Sequence, residues 1–92
     1  MTTVKFPLGR VVTTPGALEA LRASGDDFLA YLIRHVTGDW GEVCAEDWKA
    51  NEDSLRHGSR LLSVYTTSNG IRFWIITEAD RSSTCFLLPE EY

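Results

Sequence analysis

The strongest constraint on what this chain can fold into lies in its last third, Arg60 to Tyr92. There Asn69-Gly70 stands between two runs rich in β-branched and aromatic residues, LLSVYTT and IRFWIIT. Asn and Gly both tolerate positive φ, so the pair predicts a type I′ turn closing a β-hairpin. With Asn69 and Gly70 as the two turn residues, Ser68 faces Ile71, Thr66 faces Phe73 and Val64 faces Ile75. Leu62, Val64, Phe73 and Ile75 then share one side of the sheet, and Leu61, Tyr65, Trp74 and Ile76 the other. Both sides are partly apolar. One packs on helices, and the other is covered by the N-terminal segment or offered to a partner. A third strand, about Thr84 to Leu88, pairs with the strand from Ile71 to Glu78. Ala79-Asp80-Arg81-Ser82 turns between them, and Pro89 ends the last strand because it has no N–H for a ladder.

Upstream the periodicity is helical. Val11-Val12 reads as a short edge strand or an extended lead-in. Thr14 is placed to cap a helix with Pro15 at its first position, where the missing N–H costs nothing. Leu18 and Leu21 mark its buried side, and Gly25 ends it. Asp26 can cap the next helix, whose apolar stripe is Leu29, Leu32, Ile33 and Val36. Gly38 closes it, and the turn Gly38-Asp39-Trp40-Gly41 carries a tryptophan suited to plug a gap between layers. A third helix runs from about Ala45 to His57. Glu46 and Asp47 in its first turn and His57 in its last suit the helix dipole, and Gly58 takes the C′ position. Trp48 and Leu55 share one face, with Asn51 between them. The expected fold is α+β: two or three N-terminal helices, over about 14–57, packed on a C-terminal antiparallel sheet of three to four strands, over about 60–89, in one domain spanning 1–92.

With 92 residues and 43% hydrophobic content, such a domain can build a core without staples. Its 13 acidic and 9 basic residues give a net charge of −4. That balance disfavours bulk electrostatic binding to nucleic acid, whose usual footprint is a basic patch. The carboxylates are too dispersed for a nucleic-acid mimic, and Lys49 interrupts the row formed by Glu46 and Asp53. Cys44 and Cys85 lie far apart with no metal-ligand spacing, so both are expected as buried free thiols. No stretch of the N-terminus has the length of a secretory h-region, and no run reaches the roughly 18 apolar residues of a membrane span. The expectation is a soluble, cytoplasmic protein with no membrane association, no cofactor and no metal.

No phosphate loop, zinc spacing, nucleophile elbow or EF-hand pattern is present. Chemistry has few places to sit. Glu78-Ala79-Asp80-Arg81-Ser82-Ser83-Thr84 gathers charge of both signs and three hydroxyls at a strand end, where loops on rigid scaffolds often bind; it also reads as a solvated turn. Arg60 and Arg72 can join Arg81 in a small anion site, or shield strand edges. His35 and His57 are the two histidines, each near a helix C-terminus where positive charge is stabilising. Tyr65 and Trp74, if exposed as a cross-strand pair, make an interface anchor or a stacking platform. The candidate binding residues are thus Arg60, Tyr65, Trp74, Glu78, Asp80, Arg81 and Ser82, and the candidate catalytic residues His35, Glu78 and Arg81.

The combination Gly38-Asp39-Trp40-Gly41, Gly58-x-Arg60-x-x-Ser63-x-Tyr65, Trp74-Ile75-Ile76-Thr77-Glu78-Ala79-Asp80-Arg81-Ser82 and Leu87-Leu88-Pro89-Glu90-Glu91-Tyr92 resembles a group of short bacterial proteins. These are carried on plasmids and other mobile elements and labelled plasmid-related proteins or type I restriction subunits. The resemblance runs from about Leu8 onward and implies a genetic context. The restriction label does not extend to this chain, because a methyltransferase subunit needs a far larger cofactor-binding α/β domain. Two functions follow as expectations. One is a non-enzymatic accessory module that binds a protein, a second copy or nucleic acid through the sheet face. The other is a small metal-independent ribonuclease of barnase-like or RelE-like layout, with Glu78, His35 and Arg81 or Arg60 as base, acid and phosphate-binding cation.

Overall fold

The computed structural model describes residues 3–92. Strand β1 (Arg10–Thr13) leads into helices α1 (Pro15–Ser24), α2 (Phe28–Val36) and α3 (Ala45–His57). Strands β2 (Leu61–Thr66), β3 (Arg72–Thr77) and β4 (Ser83–Leu87) follow, and a 3₁₀ turn spans Pro89–Glu91. The fold is α+β, with the helices in mid-chain between the first strand and the last three.

Caps set the helix bounds. The Thr14 hydroxyl accepts from the Ala17 N–H, and Pro15 opens α1. Gly25 and Gly58 close α1 and α3 in the left-handed conformation, at φ 74° each, as a helix C-terminus favours. Asp27, and not Asp26, caps α2, accepting from Leu29 N–H at 2.9 Å. Asp26 reaches across to the β2–β3 turn instead, where its carboxylate accepts from Ser68 N–H, Ser68 hydroxyl and Tyr31 hydroxyl.

The sheet order is β1-β4-β3-β2. The three C-terminal strands form the expected antiparallel meander, but β1 joins β4 in parallel, with Val11 beside Thr84 and Val12 beside Cys85. The sheet is therefore mixed. A parallel pairing needs a long crossover, and the three helices supply it.

The hairpin register is shifted by one residue from the expected one. Thr66 pairs with Arg72, Tyr65 with Phe73 and Val64 with Trp74. Gly70 N–H bonds to the Thr67 carbonyl and Thr67 N–H to the Ile71 carbonyl. Gly70 has φ 90°, whereas Asn69 is not in the positive region. The connection is thus a type I turn followed by a left-handed glycine in a G1 bulge, a three-residue loop, and not a two-residue type I′ turn. One residue of register moves a strand's whole side-chain set to the other face. Tyr65 consequently shares a face with Phe73 and Ile75, and Trp74 with Val64 and Ile76.

The helix-bearing face carries Leu61, Ser63, Tyr65, Phe73, Ile75, Thr77, Thr84 and Phe86, all buried. Ala17 and Leu21 of α1 and Phe28, Tyr31 and Leu32 of α2 pack on its centre. Phe6, Val36, Trp40 and Leu61 form a second cluster with Leu8, Val43 and Leu55. Trp40, wholly buried, fills the space expected of it and donates to Glu52 at 2.8 Å. The buried stripe of α2 is Phe28, Tyr31, Leu32, His35 and Val36, while Leu29 and Ile33 face outward. Aromatic residues with polar tips bury their rings here, which rotates the buried side from the purely aliphatic reading. Cys44 is exposed and Cys85 half-buried, both free thiols, so only Cys85 approaches the burial expected of the pair.

Candidate binding surface

The sequence-derived candidates fall into three separate places. The first is the interior. His35 is fully buried between the rings of Phe6 and Trp40, at 5.2 and 5.7 Å. Its Nδ1 lies 2.5 Å from Ser63 Oγ and its Nε2 2.9 Å from Thr77 Oγ1. Thr77 Oγ1 is 2.8 Å from Thr84 Oγ1, and the Thr84 hydroxyl donates to the Leu8 carbonyl at 2.7 Å. That last bond fixes every proton in the row. Thr84 has spent its one proton on Leu8, so Thr77 must donate to Thr84. Thr77 can then only accept from His35, which places the ring proton on Nε2, and Nδ1 accepts from Ser63. The row ties α2, β2, β3, β4 and the N-terminal segment together. Burial, with a smaller contribution from the positive charge of Arg81, lowers the His35 pKa to about 3. A neutral, sealed histidine with both nitrogens occupied has no route to a substrate.

The second place is the β3–β4 turn. Arg81 holds φ 60°, the one non-glycine residue with positive φ among those described. Its guanidinium donates to four backbone carbonyls: Ser54 at 3.0 Å, Ser59 at 2.6 Å, Glu78 at 3.1 Å and Ala79 at 3.3 Å. Ser54 belongs to the last turn of α3, so Arg81 caps that helix's negative end. Asp80 accepts from Ser82 N–H, and the Ser82 carbonyl accepts from Arg10 N–H. Gly9 packs so closely here that a Cβ would lie 2.4 Å from the Arg81 and Ser82 carbonyl oxygens. Asp80, Arg81 and Ser82 thus anchor α3 and β1 to the sheet.

The third place is the sheet face opposite the helices. Leu62, Val64, Trp74, Ile76, Cys85 and Leu87 line it, with Val12 on the outer strand. Neither core cluster includes them, yet Val64, Ile76 and Leu87 are buried, Leu62, Trp74 and Cys85 are half-buried, and Val12 is exposed. The C-terminal turn folds over one end. Tyr92 sets its ring edge-on to Trp74 at 5.6 Å and accepts from Arg60 at 2.7 Å, while Arg60 approaches Glu78 at 3.5 Å. Together Arg60, Leu61, Leu62, Trp74, Ile76 and Tyr92 enclose an open, mainly apolar groove of about 260 Å³. Tyr65 lies on the other side of the sheet, 1% exposed, its hydroxyl donating to Asp39 and its ring under the Arg34 guanidinium. Burial pushes the Tyr65 hydroxyl up to about 12. The expected Tyr65–Trp74 pair is thereby replaced by Trp74–Tyr92.

Of the candidates, then, Arg60, Trp74 and Glu78 come together, joined by Tyr92. His35 does not meet Glu78: the Thr77 side chain points to the histidine, and Glu78, the next residue along the strand, points to the opposite face. The row Ser63, Thr77 and Thr84 was the signal for the buried histidine, since each is a hydroxyl at a core position of a strand. Among the described residues no group of three or more His, Cys, Asp or Glu side chains can hold a metal, and no helix is long and apolar enough to cross a membrane. Compared with known proteins, the chain matches no family model, no curated protein and no solved structure.

Proposed function

We propose that the protein is a non-enzymatic interaction module that takes a protein partner on the helix-free face of its sheet. The observation that carries this reading is the groove between Trp74 and Tyr92, an open, mainly apolar concavity with an arginine at its rim and the half-buried Leu62 and Trp74 in its wall. Tryptophan, tyrosine and arginine are the residue types that dominate binding energy at protein interfaces. The Arg60–Glu78 contact of 3.5 Å is long for a hydrogen bond, which leaves the guanidinium open to an added carboxylate. The partner's chemistry follows: an aliphatic or aromatic side chain to fill the groove, beside an acidic group to meet Arg60. The resemblance to short proteins of mobile elements supports an accessory role in such a setting. The net charge of −4 favours protein over nucleic acid as the partner. The ribonuclease alternative loses its support from geometry, because its acid is sealed in the core and its base lies across the sheet.

Site-directed photocrosslinking in producing cells tests this. With p-benzoylphenylalanine in place of Trp74, a discrete protein adduct is expected that is absent when the probe replaces Glu19 on α1, and that disappears on Leu62→Asp. Equal labelling from both positions overturns the reading. So does cleavage of single-stranded RNA by the purified protein that survives EDTA.

A further inference from the structure

The two edges of the sheet are treated differently. The outer edge of β2 is sealed. Asn51 bonds both backbone groups of Leu62, at 2.7 and 3.0 Å, and Val64 N–H and C=O are taken by the Trp40 carbonyl and the Glu42 N–H at 3.1 and 2.7 Å. The outer edge of β1 has no backbone partner among the described residues. Arg10 N–H bonds to the Ser82 carbonyl and Thr14 N–H to the Phe86 carbonyl, so in this parallel ladder the even-numbered residues face β4. The N–H and C=O of Val11 and Thr13 point outward, and none of the four has a protein partner among the described residues. Val11 and Val12 are 44% and 41% exposed. Of the guards of an edge strand, β1 has its four-residue length and the exposed charge of Arg10, while a proline, a bulge and an inward charge are absent between Arg10 and Thr13.

We infer that β1 pairs with β1 of a second copy, antiparallel about a two-fold axis at Val12, to make one eight-stranded sheet. Two outward residues separated by one are self-complementary: Val11 pairs with Thr13 of the second copy and Thr13 with its Val11, giving four N–H···O=C bonds. Centring the pair on Val11 instead gives only two bonds within the strand. The Val12-centred register also sets Arg10, the strand's one charge, opposite Thr14 of the second copy and away from its own counterpart. The axis is perpendicular to the sheet, so both sets of helices lie on one side and the two opposite faces become continuous on the other. The inference stands on the edge and is independent of the groove. A ladder of four residues buries little area, so the association is weak.

Sedimentation equilibrium of the full chain from about 10 μM to 1 mM tests it. Wild-type protein is expected to pass from monomer to dimer across this range. Val11→Pro removes an outward N–H that β4 does not use, and is expected to weaken the dimer at least tenfold with an unchanged urea midpoint. Val12→Lys and Val12→Glu each place like charges across the axis and are expected to be monomeric alone and dimeric when mixed. That mixing experiment stands even if the proline variant is unstable. Leu62→Asp, which alters only the groove, should dimerise as wild type. A wild-type chain that stays monomeric at 1 mM, or a dimer that none of the β1 substitutions affects, overturns the inference.

Discussion

Asn51 stands against Leu62 as a neighbouring strand would, donating to its carbonyl at 2.7 Å and accepting from its N–H at 3.0 Å. A helix side chain thus closes the sheet edge where α3 passes it. Asn51 is 4% exposed, so removing the amide leaves two poorly solvated backbone groups unpaired. Asn51→Ala should cost about 2–3 kcal/mol, read as a lower urea midpoint with an unchanged m-value. Asn51→Asp should cost at least as much, since a carboxylate cannot donate to the Leu62 carbonyl and repels it.

The buried row through His35 makes stability depend on pH in a defined window. The unfolded histidine titrates near its ordinary 6.5, and the folded one near 3. Between these values the unfolded chain binds a proton that the folded chain refuses. The stabilisation is therefore complete above pH 6.5 and declines as pH falls toward 3. By pH 5 the loss is about 2 kcal/mol, at roughly 1.4 kcal/mol per pH unit. The carboxylates with lowered pKa values, among them Asp26, Asp39 and Glu42, lose their stabilisation only at lower pH, so the upper part of the window reports His35. Urea midpoints at pH 7.5 and pH 5 should differ in wild type and converge in His35→Phe. Long-range ¹⁵N–¹H spectra should show the ring proton on Nε2, and a proton on Nδ1 instead would break the assigned row.

Sequence and structure agree where the signal is local, and part where it is not. Thr14, Pro15, Gly25 and Gly58 mark helix ends through their own backbone preferences, and α1 and the end of α3 fall where those residues put them, whereas α2 is capped by Asp27 and Thr37 in place of the expected Asp26 and Gly38. The meander was equally legible, since turn residues separate its apolar runs. The parallel union of β1 with β4 spans most of the chain, and no local pattern records it. Asn-Gly supports either of two loop lengths, and the choice between them decided which of Tyr65 and Trp74 faces outward. Of the surface that results, Arg60, Trp74 and Glu78 were legible, while Tyr92 joins them only because the chain turns back after Pro89.

The two loop types make opposite demands on Asn69. In a type I′ turn both central residues have positive φ, so Asn69→Ala and Gly70→Ala would cost alike. In the observed bulge only Gly70, at φ 90°, needs that region. Gly70→Ala should therefore lose about 1–2 kcal/mol. Asn69→Ala should lose under about 1 kcal/mol, the value of its bond from the Thr67 hydroxyl. Thermal denaturation separates the outcomes, with each kcal/mol worth roughly 4–8 °C in a domain of this size.

Arg81 looks like a functional arginine in the sequence and acts as a brace in the fold. Its four carbonyl partners need the spread of a guanidinium, which a lysine ammonium cannot supply. Arg81→Ala and Arg81→Lys should each destabilise by about 2–3 kcal/mol. Arg81→Gly should recover about 1 kcal/mol of that, because glycine takes φ 60° without strain. Arg60, with exposed partners only, should tolerate alanine within about 0.5 kcal/mol. The pair of measurements has a consequence for any binding assay. Loss of binding in Arg81→Ala reports an unfolded fraction, whereas loss in Arg60→Ala, with its urea midpoint unchanged, reports the groove.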